Sequence, residues 1–196
     1  MIHHRPQGLD DPLFRRSNLI GSAAVGGGMV LSLSLPSGEG IAGIANRSTR
    51  NASIRIDGDG NVFLTMPYLG MGQGTYTSIP MLIAEQLEVA LNRVHFEPAP
   101  PNEKYAANET LDAPAIDNSE TIRSALRLLG EAGATARTML IAAAAERWGA
   151  NARSCHAHAG EVIHTPTWRK LKYGELAIDA AYRPIPKEVE LKAPRA

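Results

Sequence analysis

Residues 53–88, SIRIDGDGNVFLTMPYLGMGQGTYTSIPMLIAEQLE, carry the patterns that decide the fold. Apolar and polar residues alternate over 53–56 and 61–66, and these two runs flank the sequence DGDG at 57–60. Glycine and aspartate accept the positive φ angles of a tight turn, so the pattern predicts a β-hairpin. A bound calcium ion is not expected at this turn, because the remaining ligands and the closing glutamate of a calcium loop are missing.

A helix is predicted for residues 77–88, where apolar residues recur at helical spacing. Pro80 is expected in its first turn, where a missing N–H costs nothing. Between the hairpin and this helix lies the glycine-rich stretch 68–74.

The remaining chain adds further short elements and one long helix. Residues 94–97 predict a strand, and prolines follow it. Asp117 and Glu120 form a capping box for a helix that Gly149 ends. Downstream the sequence predicts a strand pair around 155–157 and 161–164 with a turn at Ala159 and Gly160, then a helix from Tyr173 to Ala181, then an extended tail over 183–196. The order predicts an α+β fold of β-hairpins packed with one long and two shorter helices.

Composition excludes several classes of function. The chain has 196 residues and equal numbers of basic and acidic residues, 20 of each, so no charge excess favours nucleic acid. Its single cysteine, Cys155, cannot form an internal disulfide or by itself hold an iron–sulfur cluster or structural zinc. No serine–histidine–aspartate or paired-carboxylate pattern with defensible spacing is present, so no catalytic residue is assigned.

The start of the chain permits two interpretations. Arg15 and Arg16 precede a weakly apolar stretch over 21–35, which is the arrangement of a twin-arginine export signal. The stretch is too short and too rich in glycine to span a membrane. Alternation with serine over 29–35 equally favours a buried strand, and a retained signal could also pack as one. We therefore divide the chain into a twin-arginine-like leader with an alternative buried strand (1–45), a domain (46–182) and the tail.

The glycine-rich stretch is the best candidate for ligand binding. Glycines let the backbone approach a ligand, and N–H groups at a helix start favour anions. The Gln73 amide can both donate and accept hydrogen bonds. The stretch is neither a P-loop nor a dinucleotide fingerprint, because it lacks the Lys-Ser/Thr pair and the third glycine of those motifs. On spacing alone, a purely structural loop is the favoured interpretation.

A resemblance to a known family changes that balance. Met71-Gly72-Gln73-Gly74-Thr75-Tyr76-Thr77, in order with the flanking 53–62 and 81–87 runs, is similar to the family of isoquinoline 1-oxidoreductase β subunits and molybdenum-dependent aldehyde dehydrogenases. Xanthine dehydrogenase is a more distant member with a similar Met-Gly-Gln-Gly segment. Matching stretches at 132–149, 160–164 and 173–177 extend the resemblance over nearly the whole chain.

The resemblance implies a cofactor, a reaction and partners. Gly72, Gln73 and Gly74, with Thr75 and Thr77, would contact molybdopterin cytosine dinucleotide as part of a molybdopterin-binding domain. The family hydroxylates aldehydes or electron-poor heteroaromatic carbons with oxygen from water. Its catalytic glutamate lies downstream of the region matched here, so we expect this chain to need the remaining part of the large subunit. A small partner with two two-iron, two-sulfur clusters, and as a further candidate a cytochrome c, would carry the electrons. A periplasmic or periplasm-facing membrane-associated location is expected, with the cytoplasm as the alternative.

Two departures from the family pattern leave an alternative function open. Leu69 and Gly70 replace a Ser-Glu pair, and residues 112–119 replace a Gly-Gly-Ser-rich loop. Asp117 in the second segment would repel phosphate. The alternative is a non-catalytic remnant or an exported scaffold protein of the same fold.

Other polar residues have ordinary structural explanations. His156 and His158 alternate on one predicted strand, with His164 expected nearby, but no carboxylate shell accompanies them and we assign no metal site. Cys155 and His156 should point to opposite faces, so a buried thiol is expected rather than a thiolate nucleophile. Trp148 and Trp168 are expected to be packing aromatics.

Overall fold

The computed structural model describes residues 19–35, 50–66, 75–98 and 119–192. Its elements confirm the predicted α+β class. In chain order they are β1 Leu19–Val25, β2 Gly28–Leu35, β3 Arg50–Ile56, β4 Val62–Met66, α1 Thr75–Leu87, β5 Val94–Pro98, α2 Ser119–Trp148, β6 Cys155–His158, β7 Glu161–His164, β8 Arg169–Lys172 and α3 Tyr173–Ala181. A single 3₁₀ turn precedes β5 and another precedes β6.

The larger sheet has five strands in the order β1-β2-β3-β4-β5. Neighbouring strands are antiparallel from β1 to β4, and β5 lies parallel to β4. A parallel pair needs a crossover, and here the crossover contains α1. One face of this sheet is closed by apolar side chains that alternate along β2, β3 and β4, namely Met29, Leu31, Ala52, Ile54, Ile56, Val62 and Leu64.

The opposite face of the sheet is only partly covered. The Arg55 guanidinium lies 3.8 Å from the centre of the Phe63 ring and 3.3 Å from a Glu97 carboxylate oxygen. The ring centres of Phe63 and His95 are 5.2 Å apart. This row of cation–π, ion-pair and ring contacts ties β3 to β4 and β5 on the outer face.

The hairpin β1–β2 shows that the first part of the chain contributes to the fold. A buried strand over residues 29–35 was one of the two interpretations of this part of the chain. These residues lie within β2, and Met29 and Leu31 are fully buried. The pairing of β2 with β3 carries the sheet across the predicted boundary at residue 45. Arg15 and Arg16 lie outside the described residues, so the export signal stays a prediction.

Helix α2 is the central packing element. It begins at Ser119, two residues after Asp117, the first residue of the predicted capping box. It ends in a Schellman motif. Gly149 adopts a φ of 59° there, and the Ala150 N–H donates to the Ala145 carbonyl at 2.8 Å. Its small-residue face is covered within the chain: a Cβ on Gly133 would lie 3.0 Å from the Cβ of Gln86 in α1.

The hairpin β3–β4 has the predicted turn. The Asp57 carboxylate accepts hydrogen bonds from the backbone N–H groups of Asp59 and Asn61, at 3.0 and 2.9 Å. Burial raises the pKa of Asp57, but these bonds, the Asn61 side chain and the charge of Arg55 outweigh it, so the pKa is lowered overall. The turn then packs against α3 so closely that a Cβ on Gly174 would clash with the Gly58 carbonyl oxygen.

Three local predictions were wrong. Helix α1 begins at Thr75, so Pro80 lies in its second turn and deprives the Tyr76 carbonyl of its helical donor. Strand β8 was not predicted, because its residues are charged and largely exposed and show no pattern that indicates pairing with β7. Trp168, expected to pack, is 70% exposed and sits at a φ of 57° in the turn before β8.

Among the helices that the structure describes, none combines the length and the apolar character needed to cross a bilayer.

Candidate functional site

The predicted cofactor loop has a defined place in the chain between β4 and α1. Gly72, Gln73 and Gly74 lie outside the described residues. The two predicted residues that follow them belong to α1: Thr75 is its first residue, and Thr77 is exposed in its first turn.

The strand directions place this loop at one particular edge of the five-stranded sheet. Strands β2, β4 and β5 run in the same direction and end at Leu35, Met66 and Pro98. Register confirms that these ends are neighbours, since Met66 is paired with Pro98 and Leu35 with Arg50 at the start of β3. We call this the carboxyl edge. In open α/β sheets ligands bind outside the carboxyl ends of the parallel strands, and here the loop follows β4, one strand of the parallel pair in this mixed sheet.

The start of α1 is electrostatically suited to an anionic group. The first backbone N–H groups of a helix have no partner within it, and the helix dipole puts partial positive charge there. The first turn of α1 contains no acidic residue. Phosphate near this end would therefore meet the positive end of the helix dipole, without a carboxylate in that turn to repel it.

The other end of α1 is held by hydrogen bonds from several elements. Val89 N–H donates to the Ala84 carbonyl at 3.0 Å and Glu88 N–H donates to the Glu85 carbonyl at 3.2 Å, the two bonds of a Schellman motif. Glu88 occupies the left-handed position of that motif, with a φ of 57°, which glycine would usually fill.

Three more carbonyls at this end are satisfied from distant parts of the chain. Arg137 of α2 donates to the Gln86 carbonyl at 2.6 Å, and the Tyr173 hydroxyl donates to the Leu87 carbonyl at 2.6 Å. The Gly160 N–H, in the turn between β6 and β7, donates to the Glu88 carbonyl at 2.8 Å. Burial raises the pKa of Tyr173 well above its usual value, with the charge of Arg137 opposing, so this hydroxyl keeps its proton and remains a donor.

The tail completes this arrangement. The buried Gln86 amide, 4% exposed, donates to the Lys192 carbonyl at 3.1 Å and accepts from the Lys192 N–H at 3.0 Å. Arg137 donates with its second terminal nitrogen to the Glu190 carbonyl at 2.6 Å. Lys192 also forms an ion pair with Glu88. The described part of the predicted extended tail has no helix or strand after α3, but it is bound to α1 and α2.

The match to a known family decides the identity of the fold. The model of the molybdopterin cofactor-binding domain matches residues 16–195. The chain belongs to this family. It is also 32% identical over 127 residues to the isoquinoline 1-oxidoreductase β subunit of Brevundimonas diminuta, which covers 64% of this chain and 16% of that one. The resemblance to isoquinoline 1-oxidoreductase β subunits is thereby confirmed.

Two solved structures are similar to the chain at lower sequence identity. Quinoline 2-oxidoreductase from Pseudomonas putida 86 matches with a TM-score of 0.46 and 20% identity, covering 79% of this chain and 20% of that one. A Cu,Mo-CO dehydrogenase matches with a TM-score of 0.48 and 18% identity, covering 76% and 19%. The chain thus spans about a fifth or less of the length of the relatives it matches.

Within this molybdopterin cofactor-binding domain, the histidines of the small sheet have structural partners. His156 Nδ1 lies 3.1 Å from the Thr165 hydroxyl, and His164 Nδ1 lies 2.7 Å from the Thr167 hydroxyl. His164 is paired with Cys155 and His156 with Ile163, so His164 does not share the face of His156. No group of three potential metal ligands occurs in the part of the chain that the structure describes.

Cys155 has the properties of a packing thiol. It is 8% exposed, and its Sγ lies 3.7 Å from the Asn151 carbonyl. Burial raises the pKa of this thiol, with the Ser154 hydrogen bond and the Arg169 charge opposing. His156 lies on the opposite face of the strand and cannot act as its base.

Sequence reasoning missed the residues that hold the far end of α1. Gln86 lies in the predicted helix 77–88, and Arg137 lies in the stretch 132–149 that resembles the family. The signal that could have found them is a polar side chain on an otherwise apolar helix face, since a buried polar group must have a partner. The partners of Gln86 are Arg137 and Lys192, which lie 51 and 106 positions away in the chain, and spacing could not identify them.

Proposed function

We propose that this domain is the cofactor-binding segment of a molybdenum hydroxylase large subunit that oxidises an aldehyde or an N-heteroaromatic compound. Gly72, Gln73 and Gly74 would contact molybdopterin cytosine dinucleotide, with Thr75 and Thr77 beside them. One observation supports this most directly: the loop joins the carboxyl edge of the parallel pair to the acid-free first turn of α1.

The residue types suit the polar parts of such a cofactor. Glycines at 72 and 74 remove the Cβ atoms that would keep a pterin or pyrophosphate away from the backbone. The Gln73 amide can pair with a pterin edge, because it offers a donor and an acceptor side by side. When bound, the molybdenum centre supplies the redox chemistry of hydroxylation, and the residues of this chain bind and orient it.

The rest of the machinery is proposed to lie in other parts of a larger assembly. The matched relative is about six times longer than the matched region, since that region is 16% of it. The catalytic glutamate would be provided by the remaining part of the large subunit, and a small subunit with two two-iron, two-sulfur clusters would accept the electrons. A cytochrome c is a further candidate acceptor, and Arg15 and Arg16 support a periplasmic location.

The competing function is a non-catalytic remnant or exported scaffold of the same fold. Its support is the segment 112–119, where the sequence has Asp112, Pro114 and Asp117 in place of a loop rich in glycine and serine. A carboxylate there would oppose the phosphates of the dinucleotide.

Co-purification separates the two functions. The full chain is co-expressed with the product of the downstream reading frame, and molybdenum and acid-released cytidine monophosphate are measured per complex. We expect about one of each, with an intact complex on size exclusion. A monomeric chain free of both, beside a neighbour that carries them alone, would establish the scaffold function instead.

The altered segment gives a second arm to that experiment. Replacing Asp117 with serine in the same complex removes the charge that opposes phosphate. We expect the variant to retain molybdenum at least as well as the parent complex. Lower retention would show that Asp117 contributes to binding and that the phosphate-repulsion argument is wrong.

A further inference from the structure

The end of α1 that faces away from the proposed loop is the point where α2, α3, the β6–β7 turn and the tail all meet. Hydrogen bonds satisfy the carbonyls of residues 84 to 88 in succession. Helix ends ordinarily leave such carbonyls to solvent and fray. A helix end with every one of these carbonyls bonded has little freedom to tilt or unwind.

Arg137 connects three of these elements at once: α2, α1 and the tail. Its two terminal nitrogens donate to the carbonyls of Gln86 and Glu190, so it joins α2 to both α1 and the tail. Arginine keeps its charge in proteins and its rigid fork fits two acceptors at once. Its positive charge also lies beside the partly negative carboxyl end of α1.

Gln86 makes the tail part of the same unit. Its amide pairs with both backbone groups of Lys192, as a neighbouring strand would, and it is buried while doing so. If the tail left, the buried Gln86 amide would lose both its acceptor and its donor on Lys192, and Arg137 would lose its exposed acceptor on Glu190. Leaving a buried amide unpaired is costly, so tail and helix end should be held together.

We infer that Arg137 is a positioning residue for the cofactor loop, acting through α1 and with the tail as its second attachment. This rests on the proposed function of Gly72, Gln73 and Gly74. Helix α1 has 13 residues and is about 20 Å long, so a fixed carboxyl end fixes the direction of its first turn. The loop residues directly precede that first turn in the chain, so a shift of the turn would also shift the point where the loop joins it.

Hydrogen exchange on the full chain tests the mechanical half of the inference. Arg137→Met keeps the aliphatic stem and removes the donors, and a chain ending at Pro186 removes the tail attachment without touching Arg137. Cys155→Ala, a buried truncation away from α1, is the matched control for general destabilisation. In both test variants we expect amides of residues 75–81 to exchange about tenfold faster, and not in the control. Unchanged exchange in a folded variant would overturn the inference.

Cofactor retention in the assembled complex tests the functional half. At equal folded fraction, Arg137→Met and the shortened chain should lose molybdenum at least about threefold faster than Cys155→Ala. Arg137→Lys, which keeps the charge but not the fork, should fall between the parent and Arg137→Met. Equal retention in all four would overturn the positioning role. If Gln73→Ala also retains molybdenum, the proposed function fails; if Gln73→Ala loses it, the failure belongs to Arg137 alone.

Discussion

The two sheets of this domain use their residues in opposite ways. The small sheet, β6 to β8, carries the side chains with the most evident chemistry, and they are engaged in packing and in hydrogen bonds to Thr165 and Thr167. The inner face of the five-stranded sheet consists of apolar side chains. At the carboxyl edge of this sheet, β4 is followed in the chain by a segment that contains glycines and one glutamine. Position in the fold, rather than reactivity of side chains, is what distinguishes the candidate site.

The largest expected difference between the sheets is in stability. Ile54 is fully buried in the main core, whereas Ile163 is 4% exposed on the outer face of the small sheet and lies outside that core. Ile54→Ala should lower the free energy of unfolding by about 2–5 kcal/mol because it leaves a cavity that cannot collapse. Ile163→Ala, the same chemical change, should cost less. Urea unfolding of both variants measures the difference, and equal costs would show that the small sheet is as tightly packed.

An intermediate effect is expected where α3 meets α1. Tyr173→Phe leaves the Leu87 carbonyl without its donor and should cost about 1–3 kcal/mol. Burial raises the folded-state pKa of this hydroxyl above its usual value of 10.0, so the folded protein holds a proton that the unfolded chain releases. Stability from this group is complete below pH 10 and falls above it, by up to about 1.4 kcal/mol per pH unit.

A pH series of unfolding curves checks this linkage. Above pH 10, the parent should lose stability more steeply than Tyr173→Phe. Parallel curves for the two proteins would mean that the Tyr173 hydroxyl ionises as readily in the folded state as in the unfolded one.

The smallest expected effects distinguish the histidines within the small sheet. His164 is 8% exposed, bonds to Thr167 and lies 6.0 Å from the Trp148 ring centre, so His164→Ala should cost about 1 kcal/mol or more. His156 is exposed, and His156→Ala should change stability by no more than about 0.5 kcal/mol.

Thermal unfolding of the parent and of His156→Ala, each with and without zinc, tests whether these histidines bind a metal. A zinc-dependent rise in the melting temperature that His156→Ala abolishes would contradict the structural role assigned to the histidines of the small sheet.

Elements whose pattern is local could be predicted from the sequence. The hairpin around Asp57, the stop at Gly149 and the bounds of α3 each follow from turn chemistry, capping or periodicity within a few residues. Strand β8 could not be found, because RKLK has no apolar alternation and is defined by its pairing partner. The fixed end of α1 was equally hidden, since Arg137, Tyr173 and Lys192 come together through tertiary packing.

The candidate site divides in the same manner. A glycine-rich loop before a helix could be recognised from residues 70–77, and so could its suitability for an anion. The parallel direction of β5 relative to β4 puts the loop at a carboxyl edge. This direction could not be predicted, because it depends on a crossover that spans about 30 residues.

Gln73 and its flanking glycines are proposed to bind the molybdopterin dinucleotide. The most direct measurement is the molybdenum and cytidine monophosphate content of the assembled complex carrying Gln73→Ala, beside His156→Ala as a surface control. We predict that the Gln73 variant loses most of both while the control keeps them and both complexes remain assembled. Full and equal content in the two complexes would contradict the claim.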